Sequence, residues 1–464
     1  MRRDSDSGPS DAVLTATAAA LAAHVPAVEH LAVALSGGRD SVALLDALSR
    51  IAPARGHRLS ALHIHHGLSP HANEWQRHCV ALCAQRGVPL AVRAIAVPRA
   101  PQTSLEAEAR QLRYIALADA AAATGVRFVA LAHHRDDQAE TLLLQLMRGA
   151  GPHGLAGMPA VHSVARGVTF VRPLLGVARA AIDAYACAAQ LAWIDDESNA
   201  QHRHRRNAVR HVVMPALAQV FPQPSLTLAR AAQHQADAMH LADDLALIDA
   251  ADAVTAGAEG GATLGQAALA ALRPHRARNL LRWFVRRHGL PAPSTARLAA
   301  MLAQLTGARG DANVTLAHAG VEIGVYRGRV VIHAPAPPAF DVRWCGEAEL
   351  ELPHGRLTFE RTVGAGIDAA QLSTGPVRVR PRAGGERLQL AANRPRRALS
   401  DLMYDAGTPP WERISLPLVF CGDRLAAVPG LGIDVAWQAL SGAPGFRLHW
   451  EPSRFPGKMA NGIG

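Results

Sequence analysis

The sequence predicts an α/β domain built on a parallel sheet over residues 1–215. A mainly helical segment (216–335) and a small α+β domain (336–464) follow it. Three observations lead there. Short apolar runs alternate with helical patterns through the first half, and strands that alternate with helices form a parallel sheet covered on both faces. Residues 204–306 then keep helical spacing almost throughout. Beyond strands at 312–333, Pro335, Pro337 and Pro338 break the chain, and short strands return around one helix near 395–406.

The first-half elements can be taken in order. Strands are expected at 30–35, 59–65, 90–97, 127–133 and 168–175, and helices at 11–25, 40–51, 71–86, 105–124, 137–149 and 179–190. Leu31-Ala32-Val33-Ala34-Leu35 is a buried strand, and Val42-Ala43-Leu44-Leu45-Asp46-Ala47-Leu48 is a helix. Ser36-Gly37-Gly38-Arg39-Asp40-Ser41 joins them. A strand, a glycine turn and a helix bring unpaired N–H groups and the positive end of a helix dipole to one point, where phosphate binds. Gly37 and Gly38 permit a tight turn and a close approach to an anion. No lysine follows the glycines, so the turn is not a Walker A loop.

The second cluster is His133-His134-Arg135-Asp136-Asp137-Gln138-Ala139-Glu140-Thr141, after the strand Phe128–Ala132. Asp136 or Asp137 can cap the helix that starts there, and helical spacing puts Asp137, Glu140 and Thr141 on one face. Carboxylates facing a triphosphate call for a cation between them, which points to Mg2+. In ligand-binding parallel sheets the site lies at the carboxyl ends of the strands, and both clusters follow strands. His63 and His65 share a face of the strand before them. No carboxylate or thiol stands at ligand spacing, so contact with nucleotide or sugar is the expected role. In the helix that Ser104 opens, Arg110 or Arg113 can reach a ligand. Farther on, Asp196, Ser198 and Asn199 precede Arg205-Arg206-Asn207-Ala208-Val209-Arg210. Cations at a helix start oppose its dipole, which points to an anionic ligand.

Bulk properties narrow the classes. A hydrophobic share of 49% excludes global disorder. The formal charge is +10 and the pI about 10.3, with arginine supplying nearly all of the cation because Lys458 is the only lysine. Arginine suits phosphate, so a nucleic-acid partner fits; an arginine- and alanine-rich composition also arises from GC-rich coding. The arginines among residues 265–289 fit either a solvated helix face or an RNA-facing one. Five cysteines without a C-x-x-C pair indicate neither a zinc ribbon nor a disulfide framework. With no membrane-length apolar run and no signal peptide, a soluble cytoplasmic protein with no membrane partner is expected.

The glycine turn resembles the PP-loop of the ATP pyrophosphatases. The ordered set of S-G-G-x-D-S at 36–41, H-H-x-D-D-Q-x-E-T at 133–141, Arg172-Pro173-Leu174-Leu175 and Asp-x-Ser-Asn ahead of Arg206–Arg210 resembles the bacterial tRNA(Ile)-lysidine synthases. So do Arg380-Pro381-Arg382 and Pro410-Trp411-Glu412-Arg413 in the carboxyl domain. His65 replaces the asparagine, and Arg135 the alanine, usual in that family. The resemblance implies a PP-loop domain of the adenine nucleotide hydrolase type. It implies ATP as substrate, held by Ser36, Gly37, Gly38, Arg39, Asp40, Ser41, His65 and His134, with Mg2+ at Asp40 and Asp137. Asp40, Asp137, Glu140 and Arg206 would be catalytic, with Glu140 the partner of the lysine ammonium. Asp136, Asn199, Asn207, Arg210, Arg380 and Arg382 would bind free lysine or a tRNA(Ile) with a CAU anticodon. A cytidine thiolase of the same class would call for a cysteine pair. A non-catalytic tRNA-binding protein would leave the carboxylates unexplained.

Overall fold

The computed structural model describes residues 9–65, 67, 69–95, 105–195, 205–256, 261–308 and 314–453. The chain divides into two compact units, Met1–Leu241 and Ala242–Gly464. The expected breaks after 215 and 335 both fall inside these units.

The first unit runs α1 (Pro9–His24), β1 (His30–Ala34), α2 (Arg39–Ile51), β2 (Arg58–His65), α3 (Ala72–Gln85), β3 (Leu90–Ala94), α4 (Leu105–Ala123), β4 (Phe128–Ala130), α5 (Arg135–Leu146), α6 (Pro152–Leu155), β5 (Val161–Ser163), β6 (Thr169–Val171) and α7 (Arg179–Ala188). Its six strands lie in the order β3-β2-β1-β4-β6-β5. All pair in parallel except β5, which runs antiparallel to β6 at the edge. Leu31, Ala32 and Val33 of β1 are fully buried, as a strand covered on both faces must be. On one face Leu44, Leu45 and Leu48 of α2 pack with Val13 and Leu21 of α1 and Ile182 and Tyr185 of α7. On the other, Ala116, Leu117 and Ala121 of α4 pack on Leu62, Val129 and Phe170. The strand order reverses between β1 and β4. A crevice opens at the carboxyl ends of strands at such a switch point, and both polar clusters sit there.

The sequence missed β5. It has three residues, two of them exposed, and so shows no apolar alternation. The helix of the second cluster starts at Arg135 rather than Asp137, and its cap is His134 rather than either aspartate. After α7 come α8 (Arg205–Ala208), a π-helical turn (Val209–Val213), α9 (Met214–Val220) and the 30-residue α10 (Pro224–Ala253).

In the second unit, residues expected to be helical form two strands, β7 (Val254–Ala256) and β8 (Ala262–Gly265). Their alanines suit a helix, but Val254, Thr255 and Thr263 are β-branched and pair across strands. Next come α11 (Gln266–Ala271), α12 (Pro274–Arg287), α13 (Thr295–Gly307), β9 (Thr315–His318), β10 (Val321–Tyr326) and β11 (Arg329–His333), which close a sheet ordered β7-β8-β11-β10-β9. Leu280, Leu281, Phe284, Met301 and Ile323 fill its core. The arginine stripe of α12 is partly structural: Arg276 pairs with Asp249, and Arg286 with Asp243 at 3.0 Å.

Beyond the proline break lie a five-stranded and a four-stranded sheet, with helices at Ala369–Leu372, Leu399–Asp405 and Pro410–Ser415 instead of the single helix expected. Trp411 stacks on His333 of β11 with centroids 4.1 Å apart, so the carboxyl part packs directly on the middle sheet.

Candidate active site

The phosphate turn is built from its own serines. Ser36 N–H donates to Ser41 Oγ at 3.2 Å, Gly38 N–H donates to Ser36 Oγ at 3.3 Å, and Ser41 Oγ donates to the Gly38 carbonyl at 2.8 Å. Ile194 N–H donates to the Gly37 carbonyl at 3.0 Å and holds the turn from the far side. Only Gly37 needs to be glycine for the backbone: its φ is +87°, and a Cβ there would stand 3.2 Å from Cys79 Sγ. Gly38 has φ −76° and would meet nothing closer than 3.5 Å, so its value lies in leaving room for a ligand. Gly38 is the N-cap of α2 and carries no side chain to bond the N–H groups of its first turn. The N–H groups of the first turn are thus left to an anion, with the helix dipole behind them.

Opposite stands α5. His134 is extended at φ −127° and caps the helix reciprocally. Its N–H donates to Asp137 Oδ2 at 3.1 Å, and Asp137 N–H donates to His134 Nδ1 at 3.4 Å. His134 Nε2 lies 3.7 Å from Asp40 Oδ2 and 3.5 Å from Asp137 Oδ2, so one imidazole nitrogen faces both carboxylates. Burial opposes the charged ring. The surrounding carboxylates of Asp40, Asp137 and Asp136 outweigh it, and the pKa lies above its ordinary value. Asp137 is held below the carboxylate range: burial works the other way, but His134, Arg206, His133 and the His134 N–H prevail.

Asp137, Glu140 and Thr141 share one face of α5, as the spacing predicts, and that face meets two arginines. Arg206 Nε donates to Glu140 Oε2 at 2.9 Å, and its Nη2 to Thr141 Oγ1 at 3.1 Å. Arg210 Nε donates to Glu140 Oε1 at 2.6 Å, and its Nη2 to Glu140 Oε2 and Asp137 Oδ1, both at 3.0 Å. Arg206 of α8 and Arg210 of the π-helical turn are thus paired with a protein carboxylate. Glu140 is 2% exposed, and both its oxygens accept from arginine where a lysine ammonium was expected.

These groups line a cavity of ≈ 370 Å³ that includes Ser36, Gly38, Arg39, Asp40, Ser41, His65, Asp137 and Arg210. Arg39 also reaches back to Asp183 of α7 at 2.9 Å. His65 Nε2 bonds Asn73 Oδ1 at 3.0 Å. His63 is fixed by the Leu35 carbonyl at 2.8 Å, and burial lowers its pKa, so the ring is a neutral wall. Asp136 accepts the Arg179 N–H at 2.9 Å and caps α7. Asn207 lies on α8. Arg380 and Arg382 belong to the second unit, where Arg380 stacks on Phe420 at 4.3 Å. Ser104, Asp196, Ser198, Asn199 and the Arg110 side chain lie outside the described residues.

Arg179, Asp195, Trp75 and Tyr114 also line the cavity, although the sequence did not single them out. Arg179 left a signal, a cation on the first turn of a helix. The other three left none, because nothing in their spacing shows that α3, α4 and the 191–195 segment converge.

An uncapped helix start facing buried carboxylates across the switch point of a parallel sheet defines a PP-loop nucleotide-binding domain. Residues 13–217 match the PP-loop domain family, 264–331 the TilS substrate binding domain and 377–450 the TilS substrate C-terminal domain. The tRNA(Ile)-lysidine synthase of Nitrosomonas europaea is 40% identical over 442 residues, covering 94% of each chain. Those of Azoarcus sp. and Burkholderia pseudomallei are also 40% identical, covering 93% and 91% of this chain and 94% and 93% of theirs. The chain belongs to the tRNA(Ile)-lysidine synthase family. Among the described residues no helix is long and apolar enough to cross a membrane.

Proposed function

We propose that the switch-point cavity couples ATP to the wobble cytidine of a tRNA(Ile) with a CAU anticodon and then delivers free lysine to the same base. The observation that carries this reading is the uncapped start of α2, with Asp40 on its first turn, facing Asp137 across the His134 imidazole. The cytidine C2 oxygen attacks the α-phosphorus of ATP, a P–O bond forms, and the bond to pyrophosphate breaks. Adenylation turns a poor leaving oxygen into a good one. The lysine ε-amine, having lost a proton, attacks C2. The C–N bond forms as AMP leaves, a second proton departs, and the product is lysidine. Such phosphoryl chemistry needs positioning and charge neutralisation more than a protein nucleophile.

In this reading Ser36, Gly37, Gly38, Arg39 and Ser41 hold the phosphates, and His65 and His134 border the nucleotide. The donor set fits Mg2+. Asp40 Oδ1 is buried with no hydrogen-bond partner, and Asp137 lies across the same imidazole. The described residues contain no group of three or more ligands, so the protein supplies part of the shell and ATP oxygens the rest. When bound, the ion would neutralise triphosphate charge. Glu140 acts through Arg206 and Arg210, which it holds in place, and Arg210 lines the cavity. Asp136, Asn199 and Asn207 are the proposed lysine or tRNA contacts. Residues 1–215 perform the chemistry, 216–335 bind substrate, and 336–464 recognise tRNA, with Arg380 and Arg382 on its phosphates. The substrates place the enzyme in the cytoplasm.

Thiolation is disfavoured by the thiol nearest the turn. Burial, with Cys83 beside it, pushes the Cys79 pKa up to about 12, and a thiol so poorly ionised is inert. The test is incubation with tRNA(Ile) transcript, ATP and labelled lysine, followed by nucleoside mass analysis. Lysine-modified cytidine is expected; ATP-dependent sulfur transfer, or no change, would overturn the proposal.

A further inference from the structure

A second cavity, of ≈ 650 Å³, lies against α4 and the β5–β6 hairpin. Its walls are apolar, with Ile115, Ala118, Met158, Val164 and Phe170. Its polar groups are mostly cationic or neutral donors: Arg166, Arg172 and His162. The acidic member, Asp119, is held by Arg166 at 2.8 Å across the mouth. Ile115 is 49% exposed, which is unusual for a large aliphatic side chain beside a cavity.

This cavity shares a wall with the reaction cavity. Tyr114 lines both and packs edge-on against Phe170, with centroids 5.4 Å apart. Arg172 is buried in the same wall. Its Nε donates to His133 Nδ1 at 3.3 Å on the reaction side, and its Nη1 to the Pro159 carbonyl at 2.7 Å on the other. A ligand in one cavity is therefore one side chain away from a ligand in the other.

The reaction imposes a requirement on its substrate. A cytidine whose C2 oxygen reaches an α-phosphate has left its stack in the loop, and the neighbouring nucleotide must be accommodated nearby. Single-stranded RNA is held by placing splayed bases on aromatic and arginine planes, with cations close to the phosphates. An apolar slot one side chain from the reacting base, with Arg172 in its wall and Arg166 at its mouth, has that chemistry. We propose that the second cavity receives the unstacked nucleobase adjacent in the RNA chain to the reacting cytidine. This inference rests on the function proposed above.

Two variants test it without touching the reaction cavity. Ile115→Trp fills the slot from a half-exposed position. Arg166→Glu reverses the charge at its mouth, where that side chain is 62% exposed. Each should weaken equilibrium binding of the tRNA(Ile) transcript about tenfold, the scale of one lost base stack, with ATP affinity and melting temperature unchanged. Transcripts made abasic immediately 5′ or 3′ of the wobble cytidine complete a double-mutant cycle. One of the two should cost the wild type about tenfold and I115W nothing further. Unchanged binding of the intact transcript by both variants, or equal losses from the abasic transcripts in wild type and I115W, would overturn the proposal. A change in ATP affinity without a change in tRNA binding would do the same and assign the slot to a small molecule. Binding is read without turnover. Failure of lysidine formation by the wild type would therefore appear separately, as a failure of the functional reading.

Discussion

Replacing Glu140 by glutamine separates two roles for the most enclosed carboxylate of the site. Glu140 accepts three hydrogen bonds from two guanidinium groups at 2.6–3.0 Å and is 2% exposed. Glutamine keeps one neutral acceptor and turns an NH2 group toward an arginine, so two charge-assisted contacts are lost. Such bonds contribute about 1.5–3 kcal/mol each. The two arginine side chains are each 21% exposed, and water recovers part of the loss. A net cost of about 2–3 kcal/mol in holding Arg206 and Arg210 follows, which corresponds to roughly a hundredfold in rate if both arginines must be ordered in the transition state. The assays are tRNA-dependent ATP–pyrophosphate exchange for the first step and labelled lysine incorporation for the whole reaction, with melting temperature as the control for folding. Both rates should fall by a similar factor. Exchange at the wild-type rate with a raised lysine requirement would refute the positioning role and restore Glu140 as the ammonium partner.

Other expectations follow from the same geometry. Asp40→Ala should abolish AMP formation in a folded protein; lysine incorporation near the wild-type rate would remove Asp40 from the site. Gly37→Ala should lower the melting temperature, because a left-handed alanine costs about 1–2 kcal/mol and its Cβ would press on Cys79. Gly38→Ala should melt like the wild type but bind ATP less tightly, and equal behaviour of the two variants would show that the glycines do not divide fold from ligand. Burial lowers the pKa of His333, partly offset by the Ala334 carbonyl and Glu322. The unfolded chain thus takes up the proton first, and the stability His333 contributes is complete above pH 6.5 and is lost as pH falls through its lower folded value. His333→Phe should flatten that part of the melting temperature against pH between 7.5 and 5, and parallel curves for the two proteins would refute it.

The sheet and the phosphate turn were legible because they depend on local pattern. Leu31 to Leu35 is an uninterrupted apolar run, and a buried parallel strand needs nothing else. The 137–140–141 face was legible for the same reason, since helical spacing alone brings those three residues to one side. Partners brought from far along the chain were not. Arg206 and Arg210 lie about seventy residues from Glu140, and no periodicity says that α8 folds back onto α5. The sequence marks these arginines only as unusual at a helix start; the buried carboxylate that two of them meet is far along the chain. The strands at 254–265 failed for a different reason. Alanine fits both states there, and pairing with β11 decides the outcome.

The charge pattern of the cavity sets one carboxylate apart. Asp136 is committed to the start of α7, and Glu140 to two arginines. Asp137 gives one oxygen to the His134 backbone and the other to Arg210. Asp40 differs. Its Oδ2 faces His134 at 3.7 Å, beyond hydrogen-bond length, and Arg39 Nε approaches its Oδ1 no closer than 3.8 Å. A buried carboxylate oxygen without a hydrogen bond carries an unrecovered desolvation cost of about 1–3 kcal/mol or more, and such a cost persists where a ligand removes it. Asp40 sits on the first turn of α2, beside the N–H groups that no side chain caps. The unsatisfied acceptor and the unsatisfied donors are therefore adjacent, and a bare phosphate could satisfy only the donors. A phosphate carrying a cation, as proposed above, would satisfy both at once; on that proposal Asp40 removal should eliminate the first step, whereas Glu140 removal should only slow it.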